Sequence, residues 1–291
     1  MNSAVKRVVK KLLGMIPTKI WLSWRFKKRL GYKLNWKNPK TYNEKLQWLK
    51  LYDRKPIYTT MVDKNMAKKF IADKVGVDYI IPTLGVYDKF DDISFGDLPE
   101  KFVIKCTHDS GSFVICKDKS KLDIKAAKQK ITNSLKNDYY WRGREWPYKN
   151  VERRIIVEQF MSEVDEFGED CLTDYKFFCF NGEPKVFYIG RDKARNPSPD
   201  FFDMDFNHLE LTTKDPNAKI TPEKPVCFDE MVMVAKKLSE GIPHLRVDFY
   251  QVNGKLYCGE MTFFHNGGMS KFNPPEWDYK LGEWIDLPCK N

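Results

Sequence analysis

The stretch "RVDFYQVNGKLYCGEMTF" (residues 246–263) reads as a β-hairpin with charge where an apolar sheet face is expected. Leu245, Val247 and Phe249 form one strand face, and Arg246 and Asp248 point to the other. After Asn253-Gly254, the return strand has Tyr257, Met261 and Phe263 on one parity and Cys258, Glu260 and Thr262 on the other. A two-residue Asn-Gly turn would pair residue i with 507 minus i, setting Glu260 opposite Val247 and mixing charge into the apolar face. A three-residue loop, with Gly254 left-handed at a bulge beside the turn, restores both faces. It gathers Arg246, Asp248, Glu260 and Thr262, and it is the register the sequence predicts. Two carboxylates and an arginine on one face suit a cation-and-phosphate site. A salt-bridged trio is the plain alternative.

Working outward, the chain of 291 residues is long enough for two domains and a sizeable core. Its charge is uneven. The first fifty residues carry 14 Lys and Arg against one acid, Glu44, a net +13. The whole chain is +10, so the other 241 residues are net −3 and the basicity belongs to the N-terminus. There, Val5, Val8, Val9, Leu12, Leu13 and Ile16 fall at helical spacing with Lys6, Arg7, Lys10 and Lys11 off the stripe, up to Pro17. This basic amphipathic segment either lies on an anionic membrane face or docks on its own domain. Charges interrupt its apolar run, which excludes a secretory signal, and no stretch approaches the roughly 20 apolar residues of a membrane span. Seven cysteines without a C-x-x-C point to reduced thiols in a cytoplasm. The four histidines (108, 208, 244 and 265) show no zinc spacing.

Residues 41–75 read as helical, broken at Pro56, with Thr41 and Glu44 forming a capping box. "FVIKCTHDSGSFVICKD" (102–118) reads as a hairpin around "HDSGS", followed by a helix from Ile124 to Asn137. The aromatic stretch 139–148 is a linker or a lid. "RIIVEQFM" is a strand, and "DYKFFCFNGEPKVFYIGRD" is a pair of strands around Asn181-Gly182-Glu183. A Pro-rich loop (196–225) and a helix (226–240) precede the hairpin. Without a βαβ rhythm the class is α+β. Lys105 and Lys176 each sit in an apolar strand, where an ammonium is costly to bury unless it meets an anion. An edge lysine reaching solvent is the plain alternative for Lys105. No P-loop, G-x-S-x-G, H-R-D or G-x-G-x-x-G motif occurs.

One ordered series remains: Asp63-Lys64, "FVIK" (102–105), "VEQF" (157–160), "DYK" (174–176), "RVD" (246–248) and "GEMT" (259–262). It resembles the ATP-grasp enzymes. With "NPKTYNEKLQWLKLYDR" (38–54) and "DYKFFCFNGEPK" (174–185), it resembles more closely their TupA-like branch, found with teichuronopeptide and capsular polysaccharide genes. The similarity runs from about Pro39 to Leu287. It implies two α+β lobes clasping ATP: a basic segment 1–55, a first lobe 56–150 and a second lobe 151–291. A carboxylate would be activated as an acyl phosphate and passed to an amine. Lys64 and Lys105 would lie at the nucleotide phosphates, under a loop of His108, Ser110, Gly111 and Ser112. Glu158 and Phe160 would form the adenine hinge, Asp165 or Glu166 would hold the ribose, and Lys176 would reach the phosphates from the second lobe. Arg246 would stabilise the transferring phosphoryl group, with Lys105 and Lys176 assisting. Asp248 and Glu260 would hold Mg²⁺, completed by Thr262 or Asn266.

Two departures stand out. Thr262 replaces the usual Asn after the second carboxylate, and a basic helical segment stands where many relatives carry an α/β domain. The resulting expectation is a cytoplasmic ATP- and Mg²⁺-dependent ligase of surface polysaccharide biosynthesis. It would join a uronate or other small-molecule or polymer carboxylate to an amine, with contact to the inner membrane face through residues 1–30 and no nucleic acid. A nucleotide-sugar transferase is the alternative, with Asp203-Met204-Asp205 as its one D-x-D match. A non-catalytic basic binder of membrane or nucleic acid is the third reading.

Overall fold

A computed structural model of the chain describes residues 14–164, 170–190, 199–213, 216–218 and 221–289. The stripe from Val5 to Leu13 and the expected ribose contacts Asp165 and Glu166 lie outside these. Two antiparallel sheets organise what is described, an α+β arrangement. The first contains β1 (Thr83–Tyr87), β2 (Phe102–Cys106), β3 (Phe113–Cys116) and β4 (Ile155–Gln159), in the order β1-β4-β2-β3. A two-strand ribbon follows, β5 (Glu163–Val164) with β6 (Asp170–Cys171). The second sheet contains β7 (Asp174–Phe180), β8 (Glu183–Gly190), β9 (Pro199–Asp203), β10 (His244–Val252) and β11 (Lys255–Thr262), in the order β11-β10-β7-β8-β9.

Alternation decides which side of each sheet meets a helix. In β2, Phe102, Ile104 and Cys106 are buried against Ala127 and Ile131 of the helix Ile124–Leu135, which turns Lys105 to the other face. In the second sheet, Phe177, Phe187, Val247 and Phe249 pack with Phe228, Met231 and Val234 of the helix Phe228–Ser239. The opposite parity sets Asp248, Lys176 and Tyr188 in one row across β10, β7 and β8.

The Thr41–Glu44 capping box forms as expected and starts the helix Tyr42–Tyr52. Pro56 breaks the helical run, and a second break follows at Asp63–Asn65, before the helix Met66–Val75. That second break presents Lys64, whose backbone N–H donates to Thr107 O at 3.1 Å. Strand β9 lies in the segment read from sequence as loop. Its Phe201 and Phe202 are buried, and Asp200 is held by His208 at 3.1 Å and the Ala218 N–H. These partners lie 8 and 18 residues further along the chain, beyond the strand's own pattern, so local propensity does not carry them.

The hairpin register also differs from expectation. Asn253 and Gly254 both have left-handed φ (52° and 70°), the two-residue turn that this dipeptide favours. The offset is taken up instead at mid-strand, where Gly259 and Glu260 together face Asp248. A Cβ on Gly259 would lie 2.7 Å from the Tyr250 ring, so the bulge falls where no side chain obstructs it. Beyond it Arg246 pairs with Thr262 and Val247 with Met261, the register expected at that end.

Candidate active site

A groove runs between the sheets. Lys64, Ala67, Lys68 and Ile71 line it with Ile81, Lys105 and Glu158, and Cys258, Gly259 and Glu260 of β11 face them. Lys64 spans the gap, 3.6 Å from Glu260, and donates to the Asp109 carbonyl of the 108–112 hairpin tip. Tyr148 borders the groove where it continues toward Met61 and Met261.

Glu158 is buried on β4 with two ammonium partners, Lys68 at 2.6 Å and Lys105 at 2.7 Å. Burial alone would raise its pKa, but Lys105 and Lys68 outweigh burial and hold the carboxyl below its ordinary value. The same pairing offsets burial at Lys105 and holds it above the usual lysine value, whereas at Lys68 burial prevails and lowers it. Lys105 is therefore neither a plain edge lysine nor unpartnered. Lys68, on the helix one turn after Lys64, was not singled out from sequence; the i, i+4 spacing of two lysines is the signal that could have found it.

Behind Glu260 lies the second constellation. Arg246 grips Asp248 with two hydrogen bonds, Nε to Oδ1 at 2.6 Å and Nη2 to Oδ2 at 2.7 Å. Nη2 also donates to Thr262 Oγ1 at 3.1 Å, and Nη1 contacts His265 Nδ1 at 2.7 Å. These contacts commit four of the guanidinium's five N–H groups. Lys176 joins the network at 2.8 Å from Asp248 Oδ2 and 2.9 Å from Asp174. Burial would push Asp248 up, yet Arg246 and Lys176 keep its carboxyl below the ordinary range. Burial pushes His265 well below a histidine's usual pKa, and Arg246 adds to this, so its imidazole is neutral and can accept from Nη1. The sequence offered His265 only in the zinc-spacing check and within the loop 265–278, a candidate lid, because its partner Arg246 lies 19 residues away along the chain.

The remaining sequence candidates distribute unevenly. Ser110 and Gly111 sit at the exposed hairpin tip, with Gly111 left-handed (φ 94°), and Ser112 Oγ donates to Asp109. His108 is buried and turned the other way, its Nε2 at the Asn137 and Ser134 carbonyls (3.1 and 3.3 Å). Phe160 lies beneath the ammonium groups of Lys101 and Lys117, at 5.7 and 5.8 Å. Asn266 stands one residue beyond His265, its amide 3.0 Å from the imidazole Nε2. Asp203 of the D-x-D match accepts from the backbone of Asp205 and Asn207 and so closes its own turn.

Comparison with known proteins gives a family match described as TupA-like ATPgrasp over residues 44–286. No curated protein matches the chain. Among solved structures, D-alanine–D-alanine ligase from Helicobacter pylori shares 14% identity, with 85% of this chain and 70% of that one covered at a TM-score of 0.46. The Bacillus anthracis enzyme complexed with ATP shares 13%, with 70% and 54% covered at 0.40. The ADP complex of purK, N5-carboxyaminoimidazole ribonucleotide synthetase, shares 15%, with 76% and 50% covered at 0.41. The chain thus spans about half the length of the last two. All three TM-scores are below 0.5, and the assignment rests on the family match.

Proposed function

The chain belongs to the TupA-like ATP-grasp family of ATP-consuming ligases, and we propose that it activates a carboxylate as an acyl phosphate and transfers the acyl group to an amine. The observation that carries this reading is the groove faced by Lys64, Lys68 and Lys105 on one side and Glu260 on the other, with Arg246 and Lys176 behind it. A triphosphate needs several cations in a site partly withdrawn from water. Lys68 and Lys105 share a single carboxylate, which leaves a surplus positive charge for phosphate oxygens. Among the described residues, four of the Arg246 N–H groups have partners, and the fifth would suit charge developing on a transferred phosphoryl group. Exclusion of water would spare the acyl phosphate until the amine arrives.

Glu260 fits a divalent cation: its side chain is 40% exposed and its nearest ion-pair partner is 3.6 Å away. Asp248 is different, since both its oxygens already accept from Arg246 and Lys176. Among the described residues no three His, Cys, Asp or Glu side chains converge as a metal centre. Mg²⁺ would therefore be held chiefly by Glu260 and the phosphates, where it would neutralise phosphate charge.

We assign the carboxylate to a uronate of a surface polysaccharide, by the branch of the family and the aromatic side chain of Tyr148 beside the site. We also assign the outer face of the helix Thr18–Leu30 to an anionic membrane. Ile20 and Trp24 are 61% and 58% exposed there, beside Lys27 and Lys28. No described helix is long and apolar enough to cross a membrane. Co-sedimentation with anionic but not zwitterionic vesicles, lost in Trp24→Ala/Lys28→Glu, is expected; equal recovery of both proteins refutes the membrane assignment.

Thermal denaturation with ATP and Mg²⁺ tests the ligase reading. A nucleotide at about 100 times its Kd adds roughly 2.7 kcal/mol, a rise of about 5–10 °C for a chain of this size. A shift with a UDP-sugar and none with ATP would transfer the case to the nucleotide-sugar reading.

A further inference from the structure

The helix Tyr42–Tyr52 directs three buried polar side chains at one loop. Asn43, Gln47 and Lys50 follow i, i+4, i+7 spacing and are 0%, 0% and 1% exposed. Asn43 Nδ2 donates to the Ser270 carbonyl at 2.8 Å, and the Ser270 N–H returns to Asn43 Oδ1 at 2.8 Å. Gln47 Nε2 donates to the carbonyls of Gly267 (3.0 Å) and Gly268 (2.6 Å). Lys50 Nζ donates to Gly267 O at 2.7 Å and Gly143 O at 3.2 Å, with the Glu145 carboxylate 4.0 Å away.

The loop gains one conformation from this support. Asn266, Gly267 and Gly268 have φ of 50°, 65° and 61°, three successive left-handed residues; two are glycines, which adopt this form without steric cost but lose much backbone freedom when held in it. A Cβ on Gly268 would lie 2.5 Å from Gln47 Nε2 and 2.8 Å from Leu46 Cβ, so the loop backbone lies directly on the helix. The loop begins with His265, which contacts Arg246 Nη1 and packs edge-on against Phe178 at 5.0 Å. Through Gly143 and Glu145, Lys50 also ties in the segment that carries Tyr148 to the groove. Burying an ammonium to serve two carbonyls is costly for a role confined to capping a helix.

We infer that Asn43, Gln47 and Lys50 are positioning residues that hold the loop 265–270 in its left-handed form, so that His265 fixes the Arg246 guanidinium in place behind Glu260. What Arg246 then does rests on the ligase reading; the positioning does not.

The test uses the full chain with ATP and Mg²⁺, and follows phosphate release for wild type, Gln47→Leu, Lys50→Met, His265→Ala and the double variant Gln47→Leu/His265→Ala. Gln47→Leu leaves no buried charge unpaired and so keeps the test alive should Lys50→Met fail to fold. The expected result is kcat lowered about tenfold or more in each single variant, with KM for ATP within about twofold, because the groove lysines are untouched. The double variant should be no slower than the slower of its singles, the mark of one shared pathway. Additive losses overturn the inference. The ¹⁵N signals of His265 provide a readout that does not depend on turnover. Its Nδ1 should shift in Gln47→Leu as the Arg246 contact is released, and an unchanged signal also overturns the inference. A wild type that neither binds ATP nor releases phosphate would defeat the ligase reading alone, because the imidazole signal still decides the positioning.

Discussion

Glu158 in the first sheet and Asp248 in the second are both buried carboxylates held by two side-chain cations, yet the two clusters differ in kind. Glu158 is met by the ammonium groups of Lys68 and Lys105, on flexible stems whose side chains are 15% and 24% exposed. Two cations share one anion there, and either ammonium can turn to a new partner. Asp248 is gripped by a planar guanidinium through two bonds, and its second cation, Lys176, is also matched by Asp174. That cluster is balanced and geometrically fixed. The contrast separates two tasks: the first sheet offers spare charge to a ligand, and the second supplies a rigid frame against which a reacting group can be aimed.

The largest effect should come from breaking the frame. Asp248→Ala leaves Arg246 buried without its carboxylate partner and Lys176 with Asp174 alone, and removing one partner of a buried pair costs roughly 3–5 kcal/mol. Glu158→Gln retains hydrogen-bond acceptance and faces lysines that can reach water, so its cost should be nearer 1–3 kcal/mol. Urea denaturation of both variants measures the difference. Equal losses would erase the distinction between frame and ligand-facing cluster.

A middle-sized effect sharpens it. His244 lies under the frame, fully buried, with Nδ1 2.9 Å from the Phe263 carbonyl and Nε2 3.0 Å from the Tyr42 hydroxyl. Burial pushes its pKa down to about 4. A folded value below the unfolded one means the unfolded chain binds the proton first as pH falls. The contribution is complete above the ordinary histidine value near 6.5, is lost through the interval down to about 4, and amounts to about 1.4 kcal/mol per pH unit. Between pH 6.5 and 5 the wild type should lose about 1.6 kcal/mol more than His244→Gln, read from urea midpoints. Parallel curves would mean that the layer under the frame admits water. His108 and His265 are also pushed down by burial and steepen both curves alike.

What the sequence disclosed divides along the same line. Strand parity showed that Arg246, Asp248 and Lys176 leave the apolar core, and the capping box at Thr41–Glu44 is a local signal read directly. The β4 motif placed Glu158 at the end of a strand, but its pairing with Lys68 and Lys105 joins elements tens of residues apart, and no spacing encodes that. Strand β9 was hidden because Pro199, Asp200 and Asp203 read as loop until His208 and Ala218 satisfy the buried carboxylate. The bulge was expected beside the turn and occurs at Gly259. Asn-Gly fixes a two-residue turn locally, whereas the need to bring Arg246 opposite Thr262 is a tertiary demand met further along the strand. The i, i+4, i+7 spacing of Asn43, Gln47 and Lys50 drew no reading from the sequence, because the loop they support is legible only in three dimensions.

The smallest stability effect tests the comparison at its boundary. Glu260 belongs by sequence to the frame's hairpin, but the bulge at Gly259 turns it to the groove, 40% exposed and 3.6 Å from Lys64. An ion pair so open to water contributes about 0–1 kcal/mol, so Glu260→Gln should unfold within that margin of wild type without nucleotide. Its effect should appear on adding ATP and Mg²⁺, where the ligand-induced rise in Tm should shrink toward that seen with ATP alone. A loss of several kcal/mol in the free protein would instead make Glu260 part of the frame. A full rise with ATP and Mg²⁺ in the variant would leave the cation to the phosphates. One substitution thus separates two residues, Asp248 and Glu260, that sequence alone had assigned the same role.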